Sequence, residues 1–436
     1  MLKKNRNQLL KINKNPFVYQ SLITLVLRVF GVITLFGFTI FLTKTYPPEI
    51  VGQYDFVRSF LLVAGSICLL GCDQSILYFK GRLEVSNSLE GIKKVYGKMV
   101  GLLLLMSVLF LVIFWSIDEK FINNYFSDSR VYGILLKSIM VLFFYGLSTL
   151  NTEVFRVLDH FYLAELFRNT IKYIPLIVGA VLLSYFGAET YLVEVFLIGF
   201  VLLSIVTTSI VYFYFSKTEI ENKVADFTYK EIFTKSYPIA ISGMALFLLM
   251  SFDILFLKKY RDDATVAFYS VAIKLMTILS MVIITVNITV STKISEYFFS
   301  KRRIDLIRTV QQASRLIFLL TFPAALTVCL FPEYILGFFG NGYVVAKDAL
   351  LILIIGQGIC SAFGTVPIYL NMTGRQHIFQ NILIVAVLIN FTLNRLLIPK
   401  YGMTGAATAF VASSIFWNSI AAVVIYKKDR VKVFLS

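Results

Sequence analysis

"GLLLLMSVLFLVIFW", residues 101–115, contains a single polar side chain, Ser107, and is apolar on every face of any helix drawn through it. A membrane β-barrel strand is short and alternates polar with apolar residues, so this stretch excludes a barrel and reads as a helix in lipid. It is one of many. Of the 436 residues 58% are apolar and only 15% charged, and the mean hydropathy is +0.79. A soluble domain with a charged surface would not reach these values, so the chain is read as an integral membrane protein.

A spanning helix needs about 20 mostly apolar residues, because roughly 30 Å of hydrocarbon is crossed at 1.5 Å per residue. Segments of that length are expected near 17–43, 56–79, 99–117, 133–155, 161–185, 191–215, 236–257, 266–290, 314–332, 348–370, 377–398 and 402–426. The fold class is therefore all-α and polytopic, with about twelve transmembrane helices. The connections near 81–98, 216–235 and 299–313 are too short to bury a soluble core of their own. The N-terminal run lacks a small-residue cleavage site and reads as a retained first helix rather than a signal peptide.

The net charge of +16 is placed in alternate connections. Basic clusters precede the first helix (Lys3, Lys4, Arg6, Lys11, Lys14), fill the second connection (Lys80, Arg82, Lys93, Lys94, Lys98) and recur in the sixth, the eighth and the tail. The positive-inside rule then puts both termini in the cytoplasm. Anchoring to anionic lipid and fixing topology account for this excess better than nucleic acid does. Cys68, Cys72, Cys329 and Cys360 lie in apolar segments with neither disulfide nor zinc spacing, and read as small core residues.

Shifted by 215 positions, the chain meets itself: "LTKTYPPEIVGQY" (42–54) aligns with "LKKYRDDATVAFY" (257–269), matching Leu42/Leu257, Lys44/Lys259, Val51/Val266 and Tyr54/Tyr269. Gly187 and Gly402 correspond at the same offset. Two parallel six-helix repeats follow, the pattern of transporters that work by alternating access. The expected division is a basic tail (1–16), a first lobe (17–215), a linker (216–235), a second lobe (236–426) and a short tail (427–436).

Charges inside the spans are expensive and must face protein or water. Arg28 lies about eleven residues into the first helix, roughly 16 Å deep. Lys274 lies in helix eight, so both belong to the first two helices of a half, and no acid stands within one turn of either; both are read as cationic site residues suited to an anionic passenger. Lys172 belongs with them. For Arg58 and Lys137, snorkelling to the outer interface competes equally with a site role. Among the acids, Asp73, Asp253 and Glu194 are candidates for proton or sodium coupling or for charge balance. Glu153 with Arg156, and Glu165 with Arg168, read as local ion pairs. His160 and His377 read as interfacial.

"GIKKVYGKM" (91–99) has five residues between its glycines and methionine after the lysine, so it is no phosphate loop. The sequence offers no metal cluster, cofactor motif or catalytic nucleophile. Helix twelve, "YGMTGAATAFVASSIFW" (401–417), carries a stripe of small residues that permits close helix contact.

The stretches 27–79 and 401–415, with the twelve-helix layout, resemble the polysaccharide-transporter branch of the multidrug/oligosaccharidyl-lipid/polysaccharide (MOP) exporter superfamily, the Wzx-type flippases. The resemblance implies two six-helix bundles around a central cavity, in the bacterial plasma membrane. The implied passenger is an oligosaccharide joined through a diphosphate to undecaprenol. Membrane lipids, and polysaccharide polymerase and chain-length proteins of the same pathway, are the implied partners. By the same resemblance Arg28, Arg58 and Lys274 occupy helices whose cationic residues take the diphosphate, although Lys274 stands where an arginine is common. A cation-coupled drug exporter and a lipid II flippase of the same superfamily remain open. A glycan polymerase or ligase is disfavoured, because the outer connections near 118–132 and 333–347 are short.

Overall fold

Apolar length dictates the elements, and charged residues carry them beyond the apolar limits. The computed structural model describes residues 16–84, 89–216 and 227–433, and all its regular structure there is helical. The basic N-terminal tail and much of the 216–235 connection lie outside these residues.

In chain order the helices are α1 (Pro16–Thr45), α2 (Pro48–Leu69), α3 (Cys72–Glu84), α4 (Leu89–Trp115), α5 (Glu119–Phe126), α6 (Val131–Val157), α7 (Phe161–Asn169), α8 (Ile174–Phe186) and α9 (Leu192–Ser216). Then follow α10 (Tyr229–Tyr260), α11 (Asp263–Phe299), α12 (Arg303–Leu330), α13 (Pro332–Gly337), α14 (Lys347–Ser361), α15 (Val366–Met372), α16 (Gln376–Tyr401) and α17 (Met403–Asp429). Eleven candidate spans among the described residues are long and apolar enough to cross a membrane, and a twelfth is the bent pair α2 and α3. This is a multi-pass membrane protein.

The sequence reading treats 81–98 and 299–313 as connections, whereas α4 begins at Leu89, α11 runs on to Phe299 and α12 starts at Arg303. Nothing in a charged turn stops a helix in water. α11 spans 37 residues, about 55 Å at 1.5 Å per residue, well past the hydrocarbon thickness.

Two spans are interrupted. The second bends by 42° between α2 and α3, at Leu70 (φ +49°) and Gly71 (φ +73°). A Cβ on Gly71 would stand 2.7 Å from both Ala240 N and Ser236 O, so glycine is required by conformation and by space. The fifth span is broken between α7 and α8 by a single 3₁₀ turn, Ile171–Tyr173, with Pro175 opening α8.

The residues cluster into two compact units. The first comprises Met1–Leu42, Gly65–Ile117 and Gly133–Ala240, and the second Thr43–Ala64, Asp118–Tyr132 and Ile241–Ser436. The second unit holds an apolar core around Leu249, Ile294, Val310, Tyr369, Phe379 and Leu383. Ala406, Ala409 and Ser413, members of the small-residue stripe of α17, are all buried. The short helix α5 belongs to this unit: Asp118 caps it by accepting from Lys120 N at 2.8 Å, and its Phe126 packs edge-on against Phe56 at 5.7 Å. Gly187 and Gly402 both end a helix with positive φ, +65° and +57°, but their ψ angles differ, +27° against −127°.

Candidate functional site

Within the first unit, α1, α6 and α7 bring charges together. Arg28 forks onto Glu165, Nε donating to Oε2 and Nη2 to Oε1, each at 3.0 Å. The Arg28 side chain remains 29% exposed, while the carboxylate of Glu165 is buried. Arg156 also donates to Glu165, and Asn169 Nδ2 donates to its Oε2 at 2.9 Å. Glu153 takes Arg168 and, at 3.6 Å, Arg156.

The local pairing expected from sequence therefore holds for Glu153 with Arg156, whereas Glu165 turns from Arg168 to Arg28. The partners come from three helices: Glu165 on α7 takes Arg28 from α1 and Arg156 from α6, and Glu153 on α6 takes Arg168 from α7. Asp73, half-buried at the start of α3, lies within electrostatic reach of Arg168. Counting Arg28, Arg156 and Arg168 against Glu153 and Glu165, three cations face two acids, and Asp73 completes the balance.

Lys172 sits in the break of the fifth span, its Nζ 4.9 Å over the Tyr173 ring. Lys137 pairs with Glu194 at 2.6 Å, both side chains well exposed. The structure thus joins Lys137 to Glu194 and separates that pair from the arginine cluster.

In the second unit, Lys274 is bound to Asp55, an acid the sequence reading passes over. The ammonium lies 2.9 Å from Oδ1 and 3.0 Å from Oδ2, with the lysine side chain only 4% exposed. Arg58, one turn along α2, approaches the same carboxylate at 3.5 Å. Tyr54 is buried beneath Lys274, its ring centroid 5.9 Å from Nζ.

Asp253, fully buried on α10, accepts from Tyr269 Oη at 2.8 Å and from Asn394 Nδ2 at 2.9 Å. Asn394 Nδ2 also donates to Asn390 Oδ1 at 3.0 Å, and both amides lie on α16. Asn394 Oδ1 and Asn390 Nδ2 are buried without a partner. Among the described residues no cationic side chain pairs with Asp253, so an acid and two amide groups stand together with spare polar capacity. The signal for the amides was present in the sequence: two asparagines four apart inside an apolar span share one helix face.

A third group sits where the connection carrying α5 meets α10 and α11. Lys258 binds Asp128 at 2.7 Å and Asp263 at 2.6 Å, Arg130 reaches Asp128 at 3.1 Å and Asp263 at 3.4 Å, and Gln53 donates to Asp263 at 3.1 Å. Burial alone would raise the Asp128 carboxyl, yet the hydrogen bonds from Arg130 and Lys258 hold it well below the usual carboxylate range. Among the described residues no group of three or more metal-ligating side chains is present.

The sequence pattern of the family described as "Polysaccharide biosynthesis protein" matches residues 15–292. The chain belongs to that family. Through it the chain is a member of the MOP exporter superfamily, and the pattern of the MatE family matches residues 238–396 of the same chain. An uncharacterized membrane protein of Methanocaldococcus jannaschii is 23% identical over 382 residues, 83% of this chain and 74% of the relative.

Among solved structures, the lipid II flippase MurJ in an inward closed conformation superposes with a TM-score of 0.71 at 16% identity, covering 94% of this chain and 87% of that one. The multidrug transporter DinF-BH, solved with R6G, gives 0.66 at 16% identity over 96% and 95%. A MOP superfamily transporter from Pyrococcus furiosus, described with a binding pocket of reverse polarity, gives 0.61 at 14% identity over 95% and 94%. These likenesses establish the fold of the family member.

Proposed function

We propose that this polysaccharide biosynthesis protein is a flippase that carries undecaprenyl-diphosphate-linked oligosaccharide repeat units from the cytoplasmic to the outer leaflet of the bacterial plasma membrane, by alternating access and without enzymatic chemistry. Both termini are cytoplasmic in this reading. A sugar head bearing many hydroxyls needs a polar route, because each unsatisfied polar group in hydrocarbon costs several kcal/mol, while the polyprenyl tail stays in the bilayer.

The observation that carries the reading is the fork of Arg28 on Glu165. A guanidinium presents to a phosphate the same two parallel N–H groups it presents to a carboxylate. Glu165 holds the arginine when no passenger is present, and the diphosphate takes its place when one arrives. Arg58 and Lys274 supply further cationic charge in the second unit, Lys172 and Lys137 in the first. Asp253, with Asn390, Asn394 and Tyr269, is assigned the coupling role for a proton or a sodium ion. The neighbouring drug transporters and the lipid II flippase share the scaffold; the family match over residues 15–292 favours a polysaccharide passenger.

The test is head-group flipping in proteoliposomes. Wild type should move a diphosphate-linked undecaprenyl oligosaccharide and leave a cationic dye, and Arg28→Ala, inserted at normal levels, should lose the saccharide movement. Dye movement under an ion gradient with the saccharide left in place would assign the chain to drug export instead.

A further inference from the structure

At the end of the second unit that carries the C-terminus, two chain reversals flank an open concavity of about 290 Å³. The first follows α11. Lys301 N–H donates to Phe298 O at 3.2 Å and Arg302 N–H to Tyr297 O at 2.9 Å, so the chain turns back within one residue of the helix end. Lys301 takes φ +58°, the left-handed region in which glycine is the unstrained residue.

The second reversal follows α17. Arg430 takes φ +54°, and the chain beyond it folds into the unit: Val431 and Val433 are buried, and Ser314 Oγ donates to Val433 O at 3.0 Å. Asp429 is fixed between them by Arg375, by Tyr369 Oη at 2.9 Å and, through its backbone oxygen, by Arg303 Nη2 at 3.1 Å.

The cavity wall combines the rings of Tyr297, Phe298 and Tyr369 with the cations Lys301, Arg303 and Lys428. Its one acid, Asp429, is already neutralised by Arg375. Among the described residues the ammonium groups of Lys301 and Lys428 make no ion pair. Solvated lysines on a surface are ordinary. Two unpaired ones and an arginine on the wall of one concavity, with one lysine kept where glycine would be less strained, form an anion receptor.

We propose that this cavity binds a phosphate-ester anion, the head of an anionic phospholipid or a small soluble phosphate ester. The volume suits a headgroup-sized ligand, near the lower end for small-molecule sites. The charge pattern assigns this end of the unit to the cytoplasmic leaflet, where anionic lipids concentrate. The site is separate from the Arg28 cluster and does not rest on the flippase reading.

The purified full-length protein is tested in detergent by native mass spectrometry against phosphatidylglycerol and phosphatidylcholine, and by titration with glycerol 3-phosphate. The variants are wild type, K301G/K428Q and, as a control on an exposed pair far along the chain, Lys347→Gln. Because glycine suits the backbone at 301, the double variant should melt no lower than wild type.

Retention of phosphatidylglycerol over phosphatidylcholine, weakened at least tenfold in K301G/K428Q and unchanged in Lys347→Gln, supports the site with a lipid source. The same pattern with glycerol 3-phosphate supports it with a soluble source. Equal binding by wild type and the double variant, or binding of neither phosphate ester, overturns it.

Discussion

Lys274 Nζ lies 2.9 Å and 3.0 Å from the two carboxylate oxygens of Asp55, and both side chains are withdrawn from solvent. The two residues are 219 positions apart, on α11 and α2. Buried this deeply, each charge depends chiefly on the other, with Arg58 approaching Asp55 at 3.5 Å.

Removing one partner leaves the other buried and uncompensated, a loss of about 3–5 kcal/mol. Asp55→Asn and Lys274→Met should each lower the melting temperature of the detergent-solubilised protein sharply, and the double variant should recover most of the loss. If the singles melt like wild type, the pair does not hold the fold.

Glu165→Gln acts in the opposite sense to Arg28→Ala on the passenger. It removes the carboxylate that competes for the guanidinium, so binding of undecaprenyl diphosphate to purified protein should tighten several-fold, while Arg28→Ala should weaken it at least tenfold. Equal affinities in both variants, with melting temperatures alone reduced, would make the fork a purely structural contact.

Asp253→Asn keeps a hydrogen-bond acceptor for Tyr269 while deleting the charge. It should insert and fold with a stability loss on the order of 1 kcal/mol. Saccharide flipping in proteoliposomes should no longer respond to an imposed proton or sodium gradient. A response like that of wild type would remove Asp253 from the coupling role.

The cluster around Asp128 gives a pH prediction. The Asp128 carboxyl is held below its unfolded value by Arg130 and Lys258, so its contribution to stability is present above the unfolded pKa, about 4, and is lost as pH falls through the lower folded value. The melting difference between wild type and Asp128→Asn should be constant from pH 5 to 8 and shrink only below about pH 4. A difference that already declines near pH 6 would contradict the pairing.

Gly71→Ala should cost about 1–3 kcal/mol from backbone strain alone, with the contacts to Ala240 and Ser236 added to it. Yield of folded protein in membranes is the readout. Gly187→Ala, where a Cβ meets nothing within 4 Å, should be milder.

The twelve spans were legible because the apolar length needed to cross hydrocarbon is a local property. Partnerships were not. Arg28 looks solitary when only one turn of sequence is inspected, because Glu165 is 137 residues away. Asp55 stands one residue before the apolar window that opens at Phe56, where an acid reads as part of a connection. The breaks at Leu70–Gly71 and Ile171–Tyr173 lie beside polar residues, Asp73 with Gln74 and Arg168 with Lys172, yet polar residues alone do not distinguish a break from a continuous span. Asn390 and Asn394 were visible as polar residues in a span, yet a search confined to charges passes over amides. The repeat was legible as scaffold only: Tyr54 and Tyr269 correspond, both buried, but one lies under a cation and the other serves an acid.

The separation of Asp55 from Lys274 along the chain also sets a clock. At about 5–20 residues per second a ribosome takes roughly 10–40 s to travel from one to the other. For that interval Asp55 is already synthesised, and its lysine does not yet exist. Arg58, one turn away, is the cation at hand to shield it during insertion.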